Sequence, residues 1–460
     1  MNMDFNTDLI IVGAGAGGLM AAATAGEAGL RCVVLERRHR PGLKLLMCGN
    51  NRCNISHAGT PEELLDAYGE PTASFLKTAL EKLSPGNLRT LFSRWGLPTI
   101  VNRDRIYPAT EKADDVLHCF TDRLRDSEIP FMTNCPVDSI TTLPDGGFLV
   151  KSPKLTMTAR YVLLATGGFS YPKTGSVGDG QRFAKELGLD VMDPRPGLAG
   201  VTLANPWLAP SEKADIPQVE ITVFDGERRR VAVTSGNLLV ESDCLRGTAV
   251  FDAVRQISRN NLKVFSLVLD LFPGTSVQNL KMKLGRGMLA HALAKQDIPP
   301  ALCGVFASAV PKDAPAEQFL KQMPLDVTEI RPLKEAIVTV GGVALHEIDS
   351  QTMECKRIPG LFFVGELMDI DGPTGGFNLH AAFATARLAI SAIAAKCGKG
   401  PKRPSAQSYD RQPPPYAKGA SRRNDAYPSR QPSYTPRKRS NRGDRWDKPE
   451  PPSWNRRPKN

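Results

Sequence analysis

At 460 residues the chain can bury a large core and form two domains, or one domain carrying an insertion. Its nine dispersed cysteines exclude a disulfide framework or a zinc site, and no basic leader or long apolar span is evident, so a cytoplasmic protein without a metal is expected. The net charge of +11 is local: residues 399–460 carry 17 Lys and Arg against 5 Asp and Glu, leaving 42 basic and 43 acidic groups elsewhere.

The first predicted unit is a strand, a glycine turn and a helix. Asp8-Leu-Ile-Ile-Val-Gly-Ala-Gly-Ala-Gly-Gly18 carries G-x-G-x-x-G at Gly13, Gly15 and Gly18, and an Ala-rich helix follows from Leu19 to Ala28. Gly13 allows the turn, Gly15 lets backbone approach a pyrophosphate, and Gly18 lets the helix pack on the strand. A second strand, Val33-Val-Leu-Glu36, ends in an acid placed to accept from ribose hydroxyls. A bound dinucleotide is therefore expected at this end of the chain.

Residues 41–56 read as a loop that follows the dinucleotide towards its reactive end. Arg52 is a candidate for the pyrophosphate or a substrate carboxylate, with a surface ion pair as the plain alternative. Cys48 and Cys53 have the spacing of a redox dithiol, but no second nucleotide fingerprint accompanies them, which favours two ordinary thiols. Helices are expected over Pro61–Tyr68, Thr72–Leu83, Gly86–Trp95 and Ala113–Ser127, with short extended pieces between Pro98 and Pro108. Residues 131–165 read as a small antiparallel set, in which Val137 is placed for backbone contacts to an adenine. Tyr161-Val-Leu-Leu-Ala-Thr166-Gly167-Gly168 is a buried strand emptying into a glycine turn, which puts Thr166 and Gly167 against the same ligand. The glycines from Gly175 to Gly180, with Tyr171 and Asp179, suggest a close backbone wall.

From Pro194 to Lys334 the pattern changes to short strands (Ile216–Val223, Arg229–Ser235, Leu238–Glu241, Phe265–Asp270, Val327–Ile330) and helices, including Thr248–Arg259. This stretch reads as a cap over the cofactor domain. Pro359-Gly-Leu-Phe-Phe-Val-Gly365-Glu366 then returns to the first domain and leads through Asp371 to Gly375-Gly376-Phe377-Asn378 and an Ala-rich helix, Leu379 to Cys397. That helix start suits a phosphate or the negative charge of a flavin ring. His380 reads as a packing histidine or as a catalytic one. Beyond Gly398, arginines interleave with prolines and isolated aromatics, a composition suited to disorder, to solubility or to RNA.

Taken together, these motifs resemble the bacterial FAD-binding flavoproteins of the BaiN/YhiN type, described as NAD(P)/FAD-dependent or aminoacetone-oxidase-like oxidoreductases. The pieces are the fingerprint with Glu36, Lys44-Leu-Leu through Arg52-Cys53-Asn54, Arg105-Ile-Tyr-Pro108, Ala165 to Gly180, Thr339-Val-Gly-Gly-Val343 and Pro359 to Asn378. The resemblance implies an α/β fold with a glutathione-reductase-like FAD domain in two parts, 1–193 and 335–398. Between them, 194–334 would be a β-barrel plus helical substrate domain, and 399–460 a basic tail outside the resemblance. It also implies FAD contacts at Gly13, Gly15, Gly18, Glu36, Arg52, Cys53, Val137, Gly167, Gly365, Glu366 and Gly376–Asn378, to which strand geometry adds Thr166 and Gly375. The expected chemistry is hydride transfer between reduced nicotinamide, bound transiently, and a small, enone-type substrate. The alternative is a flavoprotein that acts on or binds RNA through its tail. Asn51, Cys355 and His380 depart from the residues usual in the family (glycine, serine and glutamine).

Overall fold

The computed structural model describes residues 6–209 and 211–399; the basic tail, apart from Lys399, lies outside them. Five strands form the parallel part of the first sheet: Thr7–Val12, Cys32–Leu35, Phe131–Met132, the end of Leu155–Leu164, and Leu361–Phe363. Their registers pair Val12 with Leu35 and Leu164, Leu35 with Met132, and Leu164 with Phe363. All five strands therefore stop at one row, and the chain leaves each strand on the same edge. Thr7–Val12 and Cys32–Leu35 are almost wholly buried, as expected of parallel strands covered on both faces.

Residues 131–165 depart from the expected antiparallel set in one respect. Ser139–Thr142, Phe148–Ser152 and the start of Leu155–Leu164 do form an antiparallel meander, but Phe131–Met132 joins the parallel sheet beside Cys32–Leu35. Two residues cannot display a periodicity, so pairing with a partner far away in sequence decides their direction.

The helices at 61–126 form as expected to within a residue or two: Pro61–Tyr68, Thr72–Lys82, Pro85–Arg94 and Ala113–Asp126. The first carries a complete capping box between Thr60 and Glu63. The Phe377–Lys396 helix is long and apolar enough to span a membrane by composition, yet most of it is buried. It packs on Ala16–Glu27, where a Cβ at Gly17 would sit 3.6 Å from the Ala382 carbonyl oxygen.

Two hydrophobic cores stand side by side. One draws on residues 9–189 and 343–394, the other on residues 199–336. An antiparallel ribbon of Val191–Pro196 and Thr339–Val343 links them. The second core lies under a seven-stranded sheet whose edge strands, Met323–Leu325 and Val327–Ile330, are separated only by Asp326. One intervening residue forces the two edges together, so the sheet curls into a barrel-like shape. Its long strands, Lys213–Asp225 and Arg230–Glu241, extend further than expected, and the second runs through Gly236, where the sequence suggested a break. Gly236 pairs with Val219, and a register shift between Ile216 and Val219 places a bulge beside it. Thr248–Arg259 is a helix as expected and packs on this sheet.

Candidate cofactor site

The edge where the five strands end collects most of the predicted residues. Gly13 follows the first strand at φ 97°, and a Cβ there would lie 2.6 Å from the Ala165 carbonyl oxygen. A Cβ at Gly18 would come within 1.9 Å of the Gly13 carbonyl oxygen, so the helix can approach the turn only with glycine here. Gly15 differs: a Cβ would meet nothing within 4 Å, and its φ of −77° is open to any residue. Nothing in the protein itself requires glycine at position 15. Gly15 also caps Ala16–Glu27 with no side-chain hydrogen bond to the first amides, leaving donors for a phosphate.

Glu36 closes the second strand and is 7% exposed. Its Oε2 accepts from the Ala14 amide at 2.8 Å and its Oε1 from the Arg38 amide at 2.7 Å. Burial pushes its carboxyl upward, while the two amides favour the charged form. Each oxygen keeps a lone pair for a ribose hydroxyl. Residues 134–137 run beside it, with the Cys135 amide donating to the Glu36 carbonyl, and this brings buried Val137 to the same wall. From the central strand come Thr166, whose buried Oγ1 has no partner among the described residues, and Gly167 at φ 72°. Gly365 leaves the last strand at φ 66°, and its amide donates to Thr385 Oγ1 at 3.1 Å. Gly375 and Gly376, both left-handed, deliver the second helix, again without a side-chain cap.

Other predicted residues are present with their side chains engaged. Arg52 is exposed, lies 5.1 Å over the Tyr107 ring and pairs with Glu111 at 3.5 Å, so it takes the surface-pair arrangement. Cys53 is fully buried in the first core at φ 57°, and Asn51, where glycine is usual, sits at φ 65° in the same loop. Cys48 and Cys53 are free thiols, and burial raises Cys48 to about 11 and Cys53 well above the usual value, which disfavours the thiolate a redox pair uses. The Phe377 ring stacks on His57 at 4.9 Å. The Asn378 carboxamide braces Gly372, accepting from its amide and donating to its carbonyl, both at 2.8 Å. Glu366 is held by Lys44 at 2.6 Å, Ser170 at 2.9 Å and the Thr339 amide at 2.8 Å. Backbone atoms are what Cys53, Phe377 and Asn378 have left to offer a cofactor.

The Lys44–Ser170–Glu366–Thr339 cluster ties together segments more than 300 residues apart, and nothing in the sequence foretold it. Asn54 was also passed over, although it completes the Arg52-Cys53-Asn54 run. It is 6% exposed, its Oδ1 has no partner among the described residues, and a Cβ at Gly376 would fall 2.7 Å from that oxygen. Asp190, His346 and Glu347 gather their ligating atoms within 4.8 Å, but two of the three are exposed and Glu347 is gripped by Arg357 at 2.6 and 2.8 Å. That set is an ion-pair cluster.

His380 is fully buried. Its Nε2 lies 2.6 Å from the Leu83 carbonyl, which can only accept, so Nε2 carries the hydrogen. Nδ1 lies 2.6 Å from the Ser56 hydroxyl. Burial lowers its pKa from 6.5 to about 4, and the ring is a neutral packing group. Below pH 6.5 the unfolded chain takes up a proton that the folded one refuses, so stability falls with pH until about 4. The contribution is about 2 kcal/mol by pH ~5. His380→Gln is expected to flatten this part of the melting-temperature profile, and an unchanged profile would contradict the assignment.

An uncapped glycine turn with free space at Gly15, a buried acid at the next strand end and unpaired polar atoms at Thr166 and Asn54 fit a flavin dinucleotide. Fold and site together define an FAD-dependent oxidoreductase. The HI0933-like protein Rossmann domain matches residues 7–392, and the chain belongs to that family. It is 28% identical to a ribosomal RNA dihydrouridine synthase of Escherichia coli K12, across 85% of this chain and 98% of that one. It is 27% identical to a 3-dehydro-bile acid delta(4,6)-reductase of Clostridium scindens, across 84% and 98%. The fold is shared with 3-ketosteroid delta1-dehydrogenase from Sterolibacterium denitrificans at TM-score 0.50 and 16% identity, covering 85% of this chain and 99% of that one.

Proposed function

We propose that the protein reduces a carbon–carbon double bond conjugated to a carbonyl, that its substrate is a uracil base in RNA, and that reduced nicotinamide supplies the electrons. One observation carries the reaction type: the chain aligns over nearly the full length of two relatives whose names share that chemistry, a dihydrouridine synthase and a delta(4,6)-reductase. Uracil and a 3-oxo-4,6-diene both present an alkene in conjugation with a carbonyl. The excess of 17 basic over 5 acidic groups in residues 399–460 favours the RNA substrate over the small enone. An RNA substrate also favours the cytoplasm.

The chemistry that FAD would supply there is hydride transfer, with reduced nicotinamide as the electron source and the carbon β to the substrate carbonyl as the acceptor, the α carbon taking a proton. The protein's part is placement. Gly13–Gly18 and the Ala16–Glu27 amides would hold the pyrophosphate, Glu36 the adenosine ribose, Val137 the adenine surroundings, and Thr166–Gly167, Gly365 and Gly375–Asn378 the flavin half. Lys44 and Ser170, by fixing Glu366, hold the segment that follows Gly365 in place. His380 is unsuited to proton delivery, being buried and neutral. Tyr171 is half-buried at φ 53°, and burial raises its phenol above 10, keeping it protonated at neutral pH.

The test is anaerobic. Enzyme reduced by NADPH or NADH is mixed with deproteinised ribosomal RNA, or with a steroid dienone, and flavin reoxidation is followed. RNA should reoxidise the flavin faster. Reoxidation by the dienone alone would turn the assignment to the small enone, and reoxidation by neither would remove the proposed chemistry.

A further inference from the structure

We infer that the helical lobe of the barrel-like domain is an RNA-docking surface in its own right, separate from the basic tail. The inference rests on the RNA reading above and names a second place where that partner is held. The body of the chain is nearly neutral, but its charges are segregated. Residues 276–296 contain Lys281, Lys283, Arg286, His291 and Lys295 and not one Asp or Glu. The fold turns these residues outward.

Val277–Leu284 buries Leu280 and Leu284 in the second core, which leaves Lys281, Met282 and Lys283 on the solvent side. Leu289–Ala294 likewise buries Ala292 and Leu293 and exposes His291, with Lys295 just beyond its end. Lys281 has a distant pairing with Glu317 at 3.7 Å. Among the described residues, Lys283, Arg286 and Lys295 have no ion-pair partner. Unpaired cations at this density repel one another, and phosphate relieves that repulsion.

The turn between the helices adds a second feature. It reads Gly285-Arg286-Gly287-Met288, and a Cβ at either glycine would meet nothing within 4 Å. Arg286 is thus presented on a backbone with open space on both sides, suited to close approach of a phosphodiester. Met282 and Met288 are 69% and 70% exposed, and flexible thioethers of this kind can lie against ribose or base faces. An anionic membrane fits less well. Two methionines are a small apolar area for insertion, and the lobe shows no exposed large hydrophobic other than these and Val277.

The experiment uses the full-length flavoprotein. K283Q/R286Q/K295Q is compared with K77Q/K82Q/R94Q, three exposed cations of the first domain whose loss changes net charge equally. Binding to deproteinised ribosomal RNA is titrated over a series of KCl concentrations, with flavin absorbance and anaerobic reduction by NADPH checking that each variant is intact. Losing three phosphate contacts, at about 0.7 each for single strands, should make the slope of log K against log salt shallower by about 2. The control triple should keep the wild-type slope. Equal slopes for the two triples would overturn the docking surface while leaving the RNA reading standing. Salt-independent or absent binding by the wild type would overturn the RNA reading as well, and tighter binding to phosphatidylserine vesicles than to RNA would reassign the lobe to a membrane.

Discussion

Gly15→Val is expected to yield a folded protein that purifies without flavin, whereas Gly18→Ala is expected to lose both flavin and stability. The two glycines lie three residues apart in one turn but are glycine for different reasons. At Gly15 the backbone is ordinary and a Cβ meets no protein atom within 4 Å, so valine costs the apo fold little. What the side chain displaces is the approach of a pyrophosphate to the helix amides. Each charge-assisted hydrogen bond lost there is worth roughly 1.5–3 kcal/mol, so affinity should fall by about 10²-fold or more. At Gly18 even one methyl group would be driven to 1.9 Å from the Gly13 carbonyl oxygen, which belongs to the backbone and has nowhere to go. The helix would have to lift off the strand, at a cost of several kcal/mol (~1–3 for ordinary overpacking, more against backbone). Flavin absorbance per protein and a thermal melt separate the two. A Gly15→Val protein with full flavin would mean that the cradle has been put in the wrong place.

The second large effect is expected at Asp371, whose side chain has no exposure. Arg255 Nε donates to Oδ1 at 2.6 Å, Arg259 donates to Oδ2, and Arg255 also reaches the Asp371 and Tyr68 carbonyls at 2.8 and 2.9 Å. One turn of helix away, Asp252 accepts from the Thr374 amide at 2.7 Å and hydroxyl at 2.9 Å. Asp252, Arg255 and Arg259 share one face of the Thr248–Arg259 helix, and all three grip the loop leading to Gly375 and Gly376. Asp371→Ala strands a guanidinium that is 4% exposed, and breaking such a pair typically costs about 3–5 kcal/mol. Denaturant unfolding should register this, and flavin should be retained less well because the loop loses its anchor. Adding Arg255→Met to Asp371→Ala should recover part of the loss, since the stranded charge is gone. A single variant within about 0.5 kcal/mol of wild type, the range of surface changes, would contradict this account of the docking.

The sheet edge proposed to hold the cofactor was legible because its signals are local. Hydrophobic strands ending in glycine or acid announce themselves at Val12, Leu35, Leu164 and Phe363, and parallel strands put such endings on one side. Thr248–Arg259 was legible for the same reason, through its apolar spacing. The partners of polar side chains were not. Arg52 carries the same charge over the Tyr107 ring as it would over a pyrophosphate, and only the three-dimensional path of the loop decides between them. Periodicity tells which face of a helix is buried, and says nothing of Asp371 lying opposite Arg255 across 116 residues of chain. Gly236 read as a break because its local meaning is a turn, while the surrounding ladder holds it within a continuous strand.

The most direct measurement of the function is the mass of the RNA product. Flavin-loaded protein, NADPH or NADH and deproteinised ribosomal RNA are incubated without oxygen, and the digested RNA is weighed nucleoside by nucleoside. A uridine that gains two hydrogens, only when both enzyme and nicotinamide are present, is the predicted result. Unaltered uridine, from enzyme whose flavin is reduced by nicotinamide and reoxidised by a dienone, would contradict it.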